Sequence, residues 1–175
     1  MAERLCLVTA KPTDAVARGF LPAASRLGLD TVVVTDRPRA YPDVPAVADC
    51  DVRDFRALIS CLARYRPAAV FTNSDHLQAQ VALAAAYLGL PGKDWRSSLR
   101  AKDKPLMRRR LAETGTERVS WFDLGSTDPG DLPYPVVVKP ADGVASEDVV
   151  LVTGPDELAD HLARIRARRG PDARG

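Results

Sequence analysis

Apolar positions in the first ninety residues fall alternately into short continuous runs and longer stretches with helical spacing. "RLCLVT" (Arg4 to Thr9) and "TVVVT" (Thr31 to Thr35) carry aliphatic residues without polar alternation, the pattern of strands buried on both faces. Between them, Asp14 to Leu27 places Val16, Phe20, Ala24 and Leu27 on one helical face, and Gly28 stands where a helix is best closed. The unit repeats with a helix over about Asp54 to Tyr65, the strand "AAVFT" (Ala68 to Thr72) and an alanine-rich helix, Leu77 to Leu88, stopped by "GLPG". Continuous apolar strands separated by helices predict a parallel sheet covered on both sides, because such strands have no solvent face.

The pattern changes near Gly89 to Lys93. There the chain becomes charged and helical in "WRSSLRAKDKPLMRRRLAETG". Two strand-like segments follow, "RVSWFDL" (Arg118 to Leu124) and the paired runs of "YPVVVKPADGVASEDVVLV" (Tyr134 to Val152), separated by the turn-rich "GSTDPGDLPYP". A helix is expected from about Pro155 to Arg168. The expected organisation is α/β: a parallel-sheet domain over 1–92, a linker helix and small α+β part over 93–170, and a tail over 171–175.

Composition narrows the function classes. With 175 residues, 46% hydrophobic and 27% charged, the chain can bury a core without staples, and a net charge of +2 is too small to imply a nucleic-acid partner. The arginines at 108 to 110 and those at 164, 166, 168, 169 and 174 have no interleaved aromatics, and acids flank both groups, so they read as a solvated helix face and a terminus. Three cysteines, Cys6, Cys50 and Cys61, lack C-x-x-C spacing and lie in or beside apolar runs, which suits buried thiols in a reducing compartment. With no signal h-region and no run of about 18 apolar residues, the expected location is cytoplasmic, without a membrane span. His76 and His161 are far apart in the chain and no Cys/His cluster argues for zinc.

Candidate chemistry lies at strand exits. The first strand runs into "TAKPTDAVARG", which has no G-x-G-x-x-G, so NAD and FAD are disfavoured, although open α/β sheets still bind small molecules at their strand ends. "TNSDHLQ" puts Asn73, Ser74 and Asp75 at such an end, where they read either as caps for the next helix or as the edge of a substrate crevice. Lys139 emerges from "YPVVV" and is followed by Pro140, so its ammonium is aimed at a fixed place, as phosphate binding requires. The following "DGVAS" offers backbone donors at Gly143 and a hydroxyl at Ser146.

In their order, "YLGLPG", "KDKPLMRRRLAETG" and "YPVVVKPADGVASEDVVLV" followed by a helix near "PDEL" resemble the ATP-grasp ligases, and the resemblance covers nearly the whole chain. It implies a Rossmann-like domain followed by the smaller ATP-grasp subdomain. It further implies that Lys104 and Lys139 contact ATP phosphates and that the Gly143 to Ser146 loop folds over them. Such enzymes use ATP and Mg2+ to activate a carboxylate substrate as an acylphosphate, which an amine or another nucleophile then attacks. In this chain Ala145 and Asp148 stand where the family commonly has glycines. Glu147 and Asp148 are expected to face outward, since an acid turned inward would repel phosphate.

The resemblance ends with the helix near Arg168, ahead of the subdomain that supplies adenine contacts, acidic magnesium ligands and catalytic arginines. The chain is therefore expected to be the front part of a ligase: a fragment, a truncated product or one chain of a split enzyme. Alone it is expected to bind ATP poorly and to catalyse nothing, and to self-associate as a homo-oligomer or to meet a complementing chain. The alternative is a non-catalytic protein that keeps the crevice near Asp75 for a small molecule or a partner. A flavodoxin-like receiver domain fits only the first half and lacks its paired acidic site in "LCLVTAKPTD".

Overall fold

The computed structural model describes residues 2–117, 119–141, 143 and 146–169. They form two compact units, divided between Leu99 and Arg100.

The first unit is built on a parallel sheet of β1 (Arg4–Val8), β2 (Asp30–Thr35), β3 (Val47–Asp49) and β4 (Ala69–Phe71), in the order β3-β2-β1-β4. Cys6 pairs in register with Val32 and Val70, so successive residues of β1 point to opposite faces. One face, with Cys6, Val8, Val32 and Val34, packs on α2 (Phe55–Tyr65) and α3 (Gln78–Tyr87) through Leu58, Leu62 and Val81. Leu7 and Val33 face the other way, onto Val16 and Tyr41. The two-faced burial is what the unbroken apolar runs require.

Local signals set the helix ends. Asp54 caps α2 by accepting from the backbone N–H of Ala57 at 2.8 Å, and Gly28 follows α1 (Leu21–Arg26) at φ +70°, a left-handed turn that favours glycine. The stretch before α1, Ala15–Phe20, is a π-helix. Its i to i+5 closure moves residues off the 3.6 spacing, and this corrects the expected buried face: Val16 and Ala24 are buried, whereas Phe20 is 37% and Leu27 76% exposed. The cysteines are free and buried as expected.

The charged helical stretch is two helices, α4 (Trp95–Lys102) and α5 (Lys104–Glu113). Pro105 cannot continue α4, because its ring would meet the carbonyl four residues back. Asp103 is extended instead and caps α5 by accepting from Leu106 N at 2.9 Å.

The second unit holds α5, a 3-10 turn at Pro129–Asp131, the antiparallel pair β5 (Val136–Val138) and β6 (Val150–Val152), and α6 (Pro155–Arg169). Val138 and Val152 face inward and form a core with Leu132 and Leu158. The expected strand over Arg118 to Leu124 is not formed: the described residues 119–124 make no sheet, and Val119 and Phe122 are exposed. Apolar alternation there meets no partner ladder. Among the described residues no helix is long and apolar enough to cross a membrane.

Candidate functional site

In the second unit the hairpin and the start of α5 bring together most of the residues singled out above. Lys104 is the first residue of α5 after the Asp103 cap. Its Nζ donates to the carbonyl of Gly143 at 2.8 Å, and its backbone N–H donates to the carbonyl of Ala141 at 3.0 Å. One lysine is thus tied twice to the segment that leaves β5. Gly143 packs against Pro140, where an added Cβ would lie 3.3 Å from the ring's Cβ.

Lys139 follows β5 on the solvent side. Along the strand Val136 and Val138 turn inward while Val137 is exposed, and Lys139 continues the exposed set ahead of buried Pro140. Across the hairpin Leu151 pairs with Val137. Val137, Val149 and Leu151 are 54%, 38% and 57% exposed, so a shelf of three aliphatic side chains runs beside the lysine.

Ser146 is exposed, with φ 58°, and its carbonyl accepts from Val149 N at 3.2 Å. The adjoining loop positions 142, 144 and 145 lie outside the described residues. The expectation that both acids face outward holds for Glu147, which is exposed. It fails for Asp148, whose side chain is 8% exposed and is ion-paired with Arg168 of α6. A carboxylate so placed has found a cation within the protein, which is what burial of a charge demands. Nothing in the spacing of residues 148 and 168 announced it.

Asn73, Ser74 and Asp75 lie in the first unit. The capping reading fails there: α3 begins only at Gln78, its N-cap is Leu77 and no side chain caps it. The turn is made instead by Thr72, whose Oγ1 accepts from Ser74 N at 3.1 Å. Beside it is a cleft of about 290 Å³ that includes Thr72, Gln78 and Lys93 but none of the three expected residues. Gln78 bridges it, donating to the Thr72 carbonyl at 3.1 Å and accepting from Lys93 Nζ at 2.9 Å. Gln78 and Lys93 carry no sequence signal beyond standing at the two ends of the α3 region.

Cys6 and Cys50 do not offer a nucleophile. Burial, reinforced by the neighbouring Cys61, pushes Cys6 and Cys50 up to about 12, so both are neutral near pH 7. Among the described residues no group of three His, Cys, Asp or Glu is placed to hold a metal ion.

No family model matches the sequence. An uncharacterised protein, y4rH, of Sinorhizobium fredii (strain NBRC 101917 / NGR234) is 28% identical over 172 residues, covering 90% of this chain and 36% of its own length. The L-amino acid ligase from Bacillus licheniformis superposes with a TM-score of 0.73 at 21% identity, over 93% of this chain and 42% of that one. N5-carboxyaminoimidazole synthetase from Staphylococcus aureus, solved with ADP, gives 0.73 at 16% identity, over 94% and 45%. The chain spans less than half the length of each of these proteins. It has the fold of the N-terminal region of the ATP-grasp ligases.

Proposed function

We propose that this chain is the nucleotide-clasping N-terminal part of an ATP-dependent ligase that joins a carboxylate to an amine or another nucleophile. The observation that carries the reading is the Lys104 bond to Gly143, which keeps one ammonium at the glycine loop while Lys139 leaves the same hairpin. Two cations beside a loop with backbone donors suit the triphosphate, and the Val137, Val149 and Leu151 shelf suits the apolar faces of a base. That one structural neighbour was solved with ADP supports the same choice of ligand.

The work of this part is electrostatic. Ammonium groups held near the phosphates offset charge that spreads over the oxygens during transfer and require no reorganisation when it develops. In this reading the chain's own contribution is its lysines and its loop.

The cleft at Gln78 and Lys93 favours a second reading, a small-molecule binding protein without ligase activity. Calorimetric titration of ATP, with and without magnesium, into the chain and into Lys139→Ala separates the two. Binding that the alanine variant loses supports the clasp. Equal behaviour of both chains, or no binding by either even with a complementing chain present, rejects it.

A further inference from the structure

The end of α3 decides what stands beside β4. Gly89, at φ +68°, closes the helix, and Leu90 N donates back to the carbonyl of Ala85 at 2.9 Å, the bond that turns a chain back onto its own helix. Gly92 then comes so close to α3 that an added Cβ would lie 3.2 Å from that of Ala85. This contact sets Lys93, an exposed residue, at the rim of the cleft, where its Nζ donates to Gln78 Oε1 at 2.9 Å. Behind the rim the walls are apolar: Val70 of β4, with Val81, Ala82 and Ala85 of α3.

The polar rim suits a negative charge. Among the described residues that line the cleft Lys93 alone is charged, and none of the described carboxylates pairs with it. The neighbouring acid, Asp94, is committed to α4: it accepts from Ser97 N at 3.0 Å and from Ser97 Oγ at 2.7 Å. An ammonium has three donors and a side-chain amide two. Lys93 spends one on Gln78, and Gln78 spends one on the Thr72 carbonyl, so both keep N–H groups for a ligand.

We propose that this cleft binds a small monocarboxylate with a short aliphatic body. The carboxylate sits on Lys93 Nζ and the second amide N–H of Gln78, and the hydrocarbon part lies among Val70, Val81, Ala82 and Ala85. The polar end then gains charge-assisted bonds, and burial of the hydrocarbon part adds what the ammonium alone does not supply. An apolar cavity of about 150 Å³ takes benzene, so a cleft of about 290 Å³ has room for an acid of about five carbons. A carboxylate here rests on the small-molecule reading of this cleft, and it holds whether or not the second unit takes ATP.

The test uses the full chain, isotope-labelled, with amide shifts followed during titration of isovalerate and of its neutral amide, isovaleramide. Saturable shifts at Gln78, Val81, Ala82 and Lys93 are expected with isovalerate, with affinity lower by about tenfold or more for isovaleramide and for Lys93→Met. Lys93 is exposed, so its replacement does not threaten the fold. Ala82→Met, which fills the cleft from α3 and keeps the ammonium, should lose isovalerate binding as well. These results together support the proposal. Equal affinity for acid and amide, or an affinity unchanged in Lys93→Met, overturns the carboxylate class and leaves the cleft as a small-molecule site. Isovalerate binding that survives in Ala82→Met overturns the placement. No saturable shift from either probe overturns the carboxylate class and the small-molecule reading together.

Discussion

Lys104 donates through Nζ to the carbonyl of Gly143 at 2.8 Å, while its own N–H reaches Ala141 at 3.0 Å. The side-chain bond is part-buried and charge-assisted, and the main-chain bond survives any substitution that keeps α5. Lys104→Met should therefore destabilise the chain by about 1.5–3 kcal/mol, the range for a hydrogen bond from a charged group. If the ammonium also meets phosphate, ATP affinity should drop tenfold or more, at about 1.4 kcal/mol per decade. Urea denaturation and ATP calorimetry on the same variant read the two effects. A stability loss with unaltered ATP binding would assign Lys104 to the fold alone.

The two faces of the hairpin should respond oppositely. Val152 is fully buried against Leu158, whereas its neighbour Leu151 is 57% exposed. Val152→Ala should cost roughly 1–3 kcal/mol through lost burial and a small cavity. Leu151→Ser should stay within about 0.5 kcal/mol of wild type, as surface changes usually do, and should weaken ATP binding if the shelf meets the base. Thermal melts and ATP titrations on the pair check this; a large stability loss in Leu151→Ser would show that the outer face is covered.

The parallel sheet was legible because strands such as Leu5 to Val8 and Val32 to Val34 need no partner to declare themselves: apolar continuity already implies burial on both faces. β3 was not, since Val47–Asp49 sits among prolines and aspartates and becomes a strand only by pairing with β2. The converse error came at Val119 to Leu124, where strand-like composition found no ladder. At the candidate site the lysines and the loop could be read from local order. What joins them could not, because the Lys104 bond spans 39 residues and the Asp148 ion pair spans 20. Such contacts are decided by packing of α5 and α6, and local propensity carries no trace of them. Likewise the cap read from Ser74 and Asp75 is not made: Thr72 Oγ1 accepts from Ser74 N in a turn, and α3 starts only at Gln78 with no side-chain cap.

Cys6 and Cys50 should be silent to thiol reagents in the folded chain. With both pushed up to about 12 by burial, only roughly one in ten thousand is thiolate at pH 8, and the thiolate is the reactive form. Native chain mixed with Ellman's reagent at pH 8 should release colour at the rate of global opening, and adding urea should accelerate all three thiols together. A fast phase before unfolding would contradict the buried assignment.

His161 gives the second unit a pH dependence whose sign can be worked out. The residue is buried, with 8% exposure; desolvation first, and then the nearby Arg164 cation, hold its pKa below the ordinary 6.5. In the folded chain the ring stays neutral and its Nε2 faces the Asp148 carbonyl, with Arg168 on the carboxylate beyond. In the unfolded chain it protonates near 6.5, so below that pH the unfolded state binds more protons. The stabilising contribution is therefore fully present above 6.5 and is lost as the pH falls through 6.5 toward the lower folded value. Melting temperature should decline between pH 7.5 and 5.5, and His161→Gln should remove that part of the decline, leaving the carboxylate titrations at lower pH in place. His76 is the only other histidine in the sequence and is exposed, so a decline that persists unchanged in His161→Gln would assign the effect elsewhere and show that burial and the Arg164 cation do not keep the ring neutral.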